Sequence, residues 1–180
     1  MHTSTGDLAA HPAGLPRAGA VAAILRIGLI AGTLDITENL IFNQLRGITL
    51  KMVFQYIASG LIGMRSFQAG DASAVLGLVL HYLIATIWTT VFYGASRKLA
   101  VLRQRPVISG LLYGVFVYLI MNLIVLPLSG IPHSVKAVTL ASRINGVLAL
   151  MICIGLTISL LMRREAARAL GGSGKSDLAA

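Results

Sequence analysis

Apolar runs bounded by charges organise this chain. No charged residue occurs between Asp71 and Arg97, an interval longer than the ~20 residues with which a helix crosses the hydrocarbon of a bilayer. A spanning helix is predicted over residues 72–95. Pro106 to Val135 is also uncharged, opens on a proline suited to the first turn of a helix, and stays apolar until Pro127 and Pro132, which predicts a span at 106–126. Residues 143–162 lie between Arg143 and the Arg163, Arg164 pair, flanks that can snorkel to headgroups. A fourth span, 21–42, contains Arg26, Asp35 and Glu38 among apolar residues. Charges at a helix centre cost roughly 2.5 to 3.5 kcal/mol each on insertion scales, so this span rests on its apolar remainder and on the topology that it closes.

Lys51 and Arg65 cut the stretch between Arg46 and Asp71 into a piece too short to cross. Within residues 48–62, Leu50, Val53, Phe54, Ile57 and Leu61 recur at helical spacing beside a polar stripe of Lys51, Gln55 and Ser59. That pattern suits an interfacial helix, or a re-entrant one tucked against the bundle. The tails, 1–18 and 166–180, are rich in small and polar residues and are predicted to be disordered. The expected architecture is therefore an all-α integral membrane protein. Four transmembrane helices form a bundle, with a short interfacial or re-entrant helix between the first and second.

Composition agrees: 56% hydrophobic, 12% charged, mean hydropathy +0.83, far more apolar than a soluble domain. The formal net charge of +9 would suggest nucleic acid in a soluble chain, but topology accounts for it here. Nine basic residues fall on one side of the predicted spans and five on the other, with Arg26 inside the first span. The positive-inside rule then puts both termini in the cytoplasm, and the lipid bilayer rather than nucleic acid is the expected partner. The opening MHTSTGDLAAHPAG lacks a basic n-region and the first apolar run is broken by Arg26 and Asp35, so the first helix is expected to remain as an anchor. Cys153 is the only cysteine, which excludes an intrachain disulfide and a C-x-x-C redox pair.

Helices in lipid pack through small residues, and these recur here every fourth position. The first span carries Gly28 and Gly32 as GxxxG, leading to Asp35 and Asn39; the second carries Ser73, Gly77, His81, Ala85 and Thr89; the third carries Gly110 and Gly114, leading to Tyr118 and Asn122. Such stripes serve close packing within a chain or between protomers of a homo-oligomer. They also contain the most polar residues of their helices. At 1.5 Å per residue, Asp35 and His81 fall about 4 to 5 Å to the outer side of the midplane, with Glu38 and Asn122 about 8 to 9 Å out. Tyr118 and Asn145 belong to the same outer half, so four helices send polar groups towards one layer.

Two readings follow. The layer is a hydrated site for a proton, cation or small polar ligand, since ionisable groups in a membrane face a cavity or each other. Alternatively these groups tie helices together, each bond worth ~0.6 to 2 kcal/mol. In either case Asp35 and His81 are expected within hydrogen-bond reach, directly or through a water. Asp35, Glu38 and His81 are metal-ligand types, but they lack a second histidine, and no metal or other cofactor is expected. His133 falls in a loop, and Arg26, half a turn from Asp35 around its helix, is expected to snorkel. No G-x-S-x-G, HExxH, P-loop or G-x-G-x-x-G occurs, so no enzyme is expected. The preferred function is binding or structural, around the outer polar cluster. The rival is a proton- or cation-coupled small-solute transporter or channel.

GLIAG at Gly28–Gly32 matches GLLYG at Gly110–Gly114, and Asn39, Leu40, Ile41 match Asn122, Leu123, Ile124 with a one-residue shift. This outlines a parallel repeat of two helix hairpins. In the segments QYIASGLIGMRSFQAGDASAVLGLVLHYLIA, YGASRK and PVISGLLYGVFVYLIMNLIVLPLSG, the chain resembles a family of small bacterial inner-membrane proteins of unknown function, over about Gly28 to Gly130. The resemblance implies a bacterial four-helix membrane protein and assigns no activity or residue role.

Overall fold

The computed structural model describes residues 17–131 and 139–176; the amino-terminal segment through Leu15, His133 and Lys136 lie outside the described residues. Four helices are long and apolar enough to cross a membrane: Gly19–Gln44, Gly70–Lys98, Pro106–Leu128 and Leu140–Arg168. They belong to α1 (Arg17–Gln44), α3 (Gly70–Lys98), α5 (Pro106–Leu128) and α6 (140–176). Two short helices, α2 (Leu50–Ile62) and α4 (Val101–Gln104), occupy the connections before and after α3.

Local chemistry sets these boundaries. After α1 the chain reverses through Gly47, whose φ of +78° is open to glycine at little cost. Thr49 then caps α2 by accepting from the Met52 N–H. Gly63, at φ +62°, ends α2 with its N–H on the Ser59 carbonyl, and a 3₁₀ turn at Gly63–Phe67 leads to α3. Pro106 begins α5. Near the other end of α5, Pro127 has no N–H to give and its ring would meet the carbonyl four residues back, and the preceding residues Met121–Val125 widen into a π-type turn. A second π-type segment, Leu150–Leu156, lies in α6, and the Thr157 hydroxyl donates to the Ile152 carbonyl five residues back at 3.1 Å.

The helix of α6 runs on to Ser176, past Met162 and through residues 166–176, which were expected to be disordered. Ala166, Ala167 and Ala169 favour helix. Glu165 holds Arg26 of α1 at 2.6 Å and Arg168 at 3.1 Å, which ties the start of this extension to the bundle. Arg26 is thus an ion-pair partner, where snorkelling alone was expected.

α1 packs against both α3 and α6, α6 packs against α5, and α2 packs against α3. The apolar core gathers Ile27 and Ala31 of α1, Phe92 of α3, Tyr113 and Val117 of α5, and Ile154, Ile158 and Met162 of α6. Trp88, Phe92, Tyr113 and Phe116 form edge contacts around it, and the Tyr113 hydroxyl donates to the Trp88 carbonyl at 2.6 Å. Every one of these residues lies between the middle of its span and the end that carries Arg97, Arg105 and Arg163, here called the basic end.

Polarity is distributed as in a protein solvated by hydrocarbon. Ser59, Ser66, Ser73, Thr89, Ser96, Ser109 and Ser159 are buried, whereas Leu25, Leu83, Leu112 and Ile152 are more than half exposed. A water-soluble protein hides the second group.

The orientation of α2 follows the same inversion, with most of its polar stripe turned towards α3. Gln55 and Ser59 are 5% and 0% exposed, while Leu50, Met52 and Leu61 are 45%, 49% and 66% exposed. The inward groups satisfy the backbone between α2 and α3: Gln55 donates to the Gly70 carbonyl at 3.0 Å, Ser66 donates to the Gln55 carbonyl, and Ser73 donates to the Ser66 carbonyl at 2.6 Å. Left unpaired in a dry interior, those carbonyls would each cost ~1 to 3 kcal/mol. Only Lys51 of the stripe reaches outward, to Asp71 at 2.6 Å.

Candidate functional site

The small-residue stripes set the distances between helices, and so decide which polar groups can meet. A Cβ built on Gly28 would lie 3.0 Å from the Thr86 Cα, and one on Gly32 3.0 Å from Ala85 and from the Tyr82 ring. These glycines close α1 onto α3. Gly110 and Gly114 close α5 onto α6 in the same way: a Cβ on Gly110 would sit 2.9 Å from the Gly155 carbonyl oxygen, and one on Gly114 2.7 Å from the Met151 nitrogen. Each hairpin therefore shuts on the GxxxG of its leading helix. Gly77 of α3 faces the backbone of Phe54 in α2, closer than any side chain could allow.

On the α1–α3 seam, His81 Nε2 lies 2.8 Å from the Gly32 carbonyl oxygen. A carbonyl only accepts, so Nε2 carries the proton and Nδ1 is left able to accept. Next to it, the Tyr82 hydroxyl and Thr33 Oγ1 share a hydrogen bond of 3.0 Å. Asp35 and His81, expected within hydrogen-bond reach directly or through a water, make no direct hydrogen bond. The glycine seam brings α3 so near that the imidazole meets the α1 backbone first, one turn before Asp35.

Asp35 follows Gly32 by one turn on α1. It is half-buried, as is Glu38 one turn on, and the two carboxyls lie within electrostatic range of each other and of the Cys153 thiol. Glu38 also lines a groove of about 460 Å³ with Leu34, Thr37, Ile41, Phe42 and Leu45. At the mouth, the Arg46 guanidinium stacks 5.3 Å from the centre of the Phe42 ring and donates to the Ser142 hydroxyl of α6. Contacts between α1 and α6 thin out from Thr157–Ser176 towards Leu140–Ala149, so the helices diverge around this acid pair.

The α5–α6 seam takes the other members of the polar layer. Tyr118 is half-buried with its ring against Gly146, beside half-buried Asn145. Asn122 is exposed and donates back to the Tyr118 carbonyl of its own helix at 2.9 Å. It lies within the π-type turn that begins at Met121 ahead of Pro127. The single converging layer is thus divided into three: His81 against α1, Asp35 and Glu38 beside Cys153, and Tyr118 with Asn145. Among the described residues, no three histidine, cysteine or acidic side chains come together as ligands of a metal ion would.

Several participants were not visible in the sequence. Gly155 is a lone glycine without a partner three or four residues away in α6, and its signal was only the cost of glycine inside a helix. Cys153 and Arg46 gain their neighbours from another helix. The core of Ile27, Ala31, Val117, Ile154 and Ile158 fills the bundle towards the basic end. No family model, curated protein or solved structure matches the chain.

Proposed function

We propose that this chain is a multi-pass protein of a bacterial inner membrane, with both termini cytoplasmic, that binds a cation bearing apolar groups in the outer groove along α1. The membrane reading is supported by four long apolar helices with an apolar exterior and buried hydroxyls. The orientation is supported by the crowding of arginine and lysine at one end.

The observation that carries the ligand class is the groove itself. Its walls are Leu34, Ile41, Phe42 and Leu45, all from one face of α1 and the residue after it, and its ionisable group is Glu38; Asp35 precedes Glu38 by one turn on the same helix. The Glu38 carboxyl on a weakly solvated groove, with Asp35 one turn away on the helix, attracts positive charge, and apolar walls favour a cation with hydrocarbon or aromatic substituents over a hydrated metal ion. The role is binding, without chemistry on the ligand. Transport would require a path through the packed core to the basic end, and the cytoplasmic halves of the spans offer no second acidic layer.

Equilibrium binding of tetraphenylphosphonium to the purified protein tests this reading. One cation per chain is expected, lost in Glu38→Gln and weakened in Asp35→Asn. Absence of binding, or equal binding by both variants, overturns it. Alkaline phosphatase fused at the carboxy terminus should be inactive, and activity there would reverse the topology.

A further inference from the structure

We infer that the basic end holds an anionic phospholipid, its phosphate gripped by arginines that α3, α4 and α6 bring together. The inference rests on the membrane reading above and is independent of the outer groove. Four-residue α4 is wedged between the end of α3 and the carboxy-terminal half of α6. Leu102 packs onto the core that includes Met162, the Ser109 hydroxyl donates to the Val101 carbonyl at 3.3 Å, and buried Ser159 donates to the Pro106 carbonyl at 2.8 Å. These contacts give Arg103 and Arg105 a rigid base, flanked by Arg97 from α3 and by Arg163 and Arg164 from α6. All five are exposed.

Charge balance argues for an anion. Among the described residues, Glu165 is the only acid at this end, and it is already engaged by Arg26 and Arg168. Arg97 leans over the Tyr93 ring at 6.0 Å; no carboxylate meets the remaining arginines among the described residues. Guanidinium groups match phosphate oxygens in bidentate fashion.

Depth argues for a lipid as the source of that phosphate. Leu99 and Val101 are 53% and 52% exposed between the arginines, so apolar and cationic side chains alternate at one level, as they do at the boundary between headgroups and acyl chains. The exposed apolar flank of α3, including Val91 and Ile87, continues from there along the path of an acyl chain.

The test compares the full chain in detergent with the variant R103Q/R105Q/R164Q, each given phosphatidylglycerol, phosphatidylcholine or inorganic phosphate. Bound lipid is counted by native mass spectrometry and stability is followed by thermal unfolding. Phosphatidylglycerol should be retained by the wild type, released in high salt, and bound about a hundredfold more weakly by the variant, at roughly fivefold per arginine. Equal retention of both lipids, or an unchanged affinity in the variant, overturns the inference while leaving the membrane reading intact. An equal stabilisation by inorganic phosphate overturns the lipid as ligand. A chain that stays soluble and folded without detergent removes the membrane reading itself. Should the triple variant unfold, R164Q alone, on an exposed turn, carries the comparison and should lose about fivefold.

Discussion

Gly114→Ala places one methyl group where α5 and α6 meet backbone to backbone. Its Cβ would lie 2.5 Å from the Leu150 carbonyl oxygen and 2.7 Å from the Met151 nitrogen, against ordinary contacts of about 3.5 to 4.0 Å. The helices must therefore separate by about 1 Å, and the atoms facing them are backbone, which cannot rotate away. A gap of that size forfeits about a quarter to a half of each pairwise dispersion well, and Gly110 and Gly155 share the same seam. Overpacking of this kind costs about 3 kcal/mol at the upper end of its usual range, and alanine returns about 1 kcal/mol through helix propensity. The expected net loss is about 2 kcal/mol, or roughly a 30-fold fall in the ratio of folded to unfolded protein. Gly94→Ala is the matched control, since no atom lies within 4 Å of its Cβ position in α3; it should be neutral or gain up to about 1 kcal/mol. Unfolding in mixed micelles, titrated with a denaturing detergent and followed by the fluorescence of the single tryptophan, Trp88, measures both. A Gly114→Ala protein as stable as Gly94→Ala would refute the close-packing argument.

Further outcomes are expected from other parts of the bundle. Asp35→Ala and His81→Leu should be additive within about 0.5 kcal/mol, because His81 bonds the Gly32 carbonyl; a larger coupling in a double-mutant cycle would show that the two side chains interact. Arg26→Gln and Glu165→Gln should couple by about 0.5 to 1 kcal/mol, since the Arg26 side chain is 55% exposed, and zero coupling would remove the link between α1 and the α6 extension. Tyr113→Phe, measured by the same unfolding titration, should cost about 1 kcal/mol for the lost bond to the Trp88 carbonyl. A cysteine placed at Met52 on the outer face of α2 should resist a water-soluble maleimide when the protein is in lipid vesicles, and rapid labelling would put that face in water.

The extent of the long helices was legible because charge is expensive in hydrocarbon: Asp71, Arg97, Pro106 and Arg163 bracket the apolar runs whichever way the helices later pack. The facing residues of two seams were legible too, since GxxxG fixes a face by spacing alone. Azimuth between helices was not. Depth arithmetic put Asp35 and His81 at one level, yet it contains no information on which neighbour each side chain meets, and the glycine seam gave His81 to a carbonyl. Gln55 and Ser59 point inward because they satisfy backbone carbonyls and hydroxyls of α2 and α3, and Glu165, at the edge of the predicted tail, is the counter-ion of Arg26 on α1. Asn122 is exposed within a π-type turn whose only forewarning was Pro127.

That α1 is clasped on two sides by α3 and α6 has a consequence for biosynthesis. Its partner surfaces are made at different times: α3 follows α1 within a few tens of residues, whereas α6 begins at Leu140, about a hundred residues after α1 ends. At ribosomal rates this is an interval of roughly 5 to 20 s. Throughout it Ile27, Ala31 and the Asp35 flank of α1 lack the helix that later covers them, and Arg26 lacks Glu165. Through this interval the half-made chain presents an unpaired helix face, and a ribosome stalled before Leu140 would leave α1 in that exposed condition permanently.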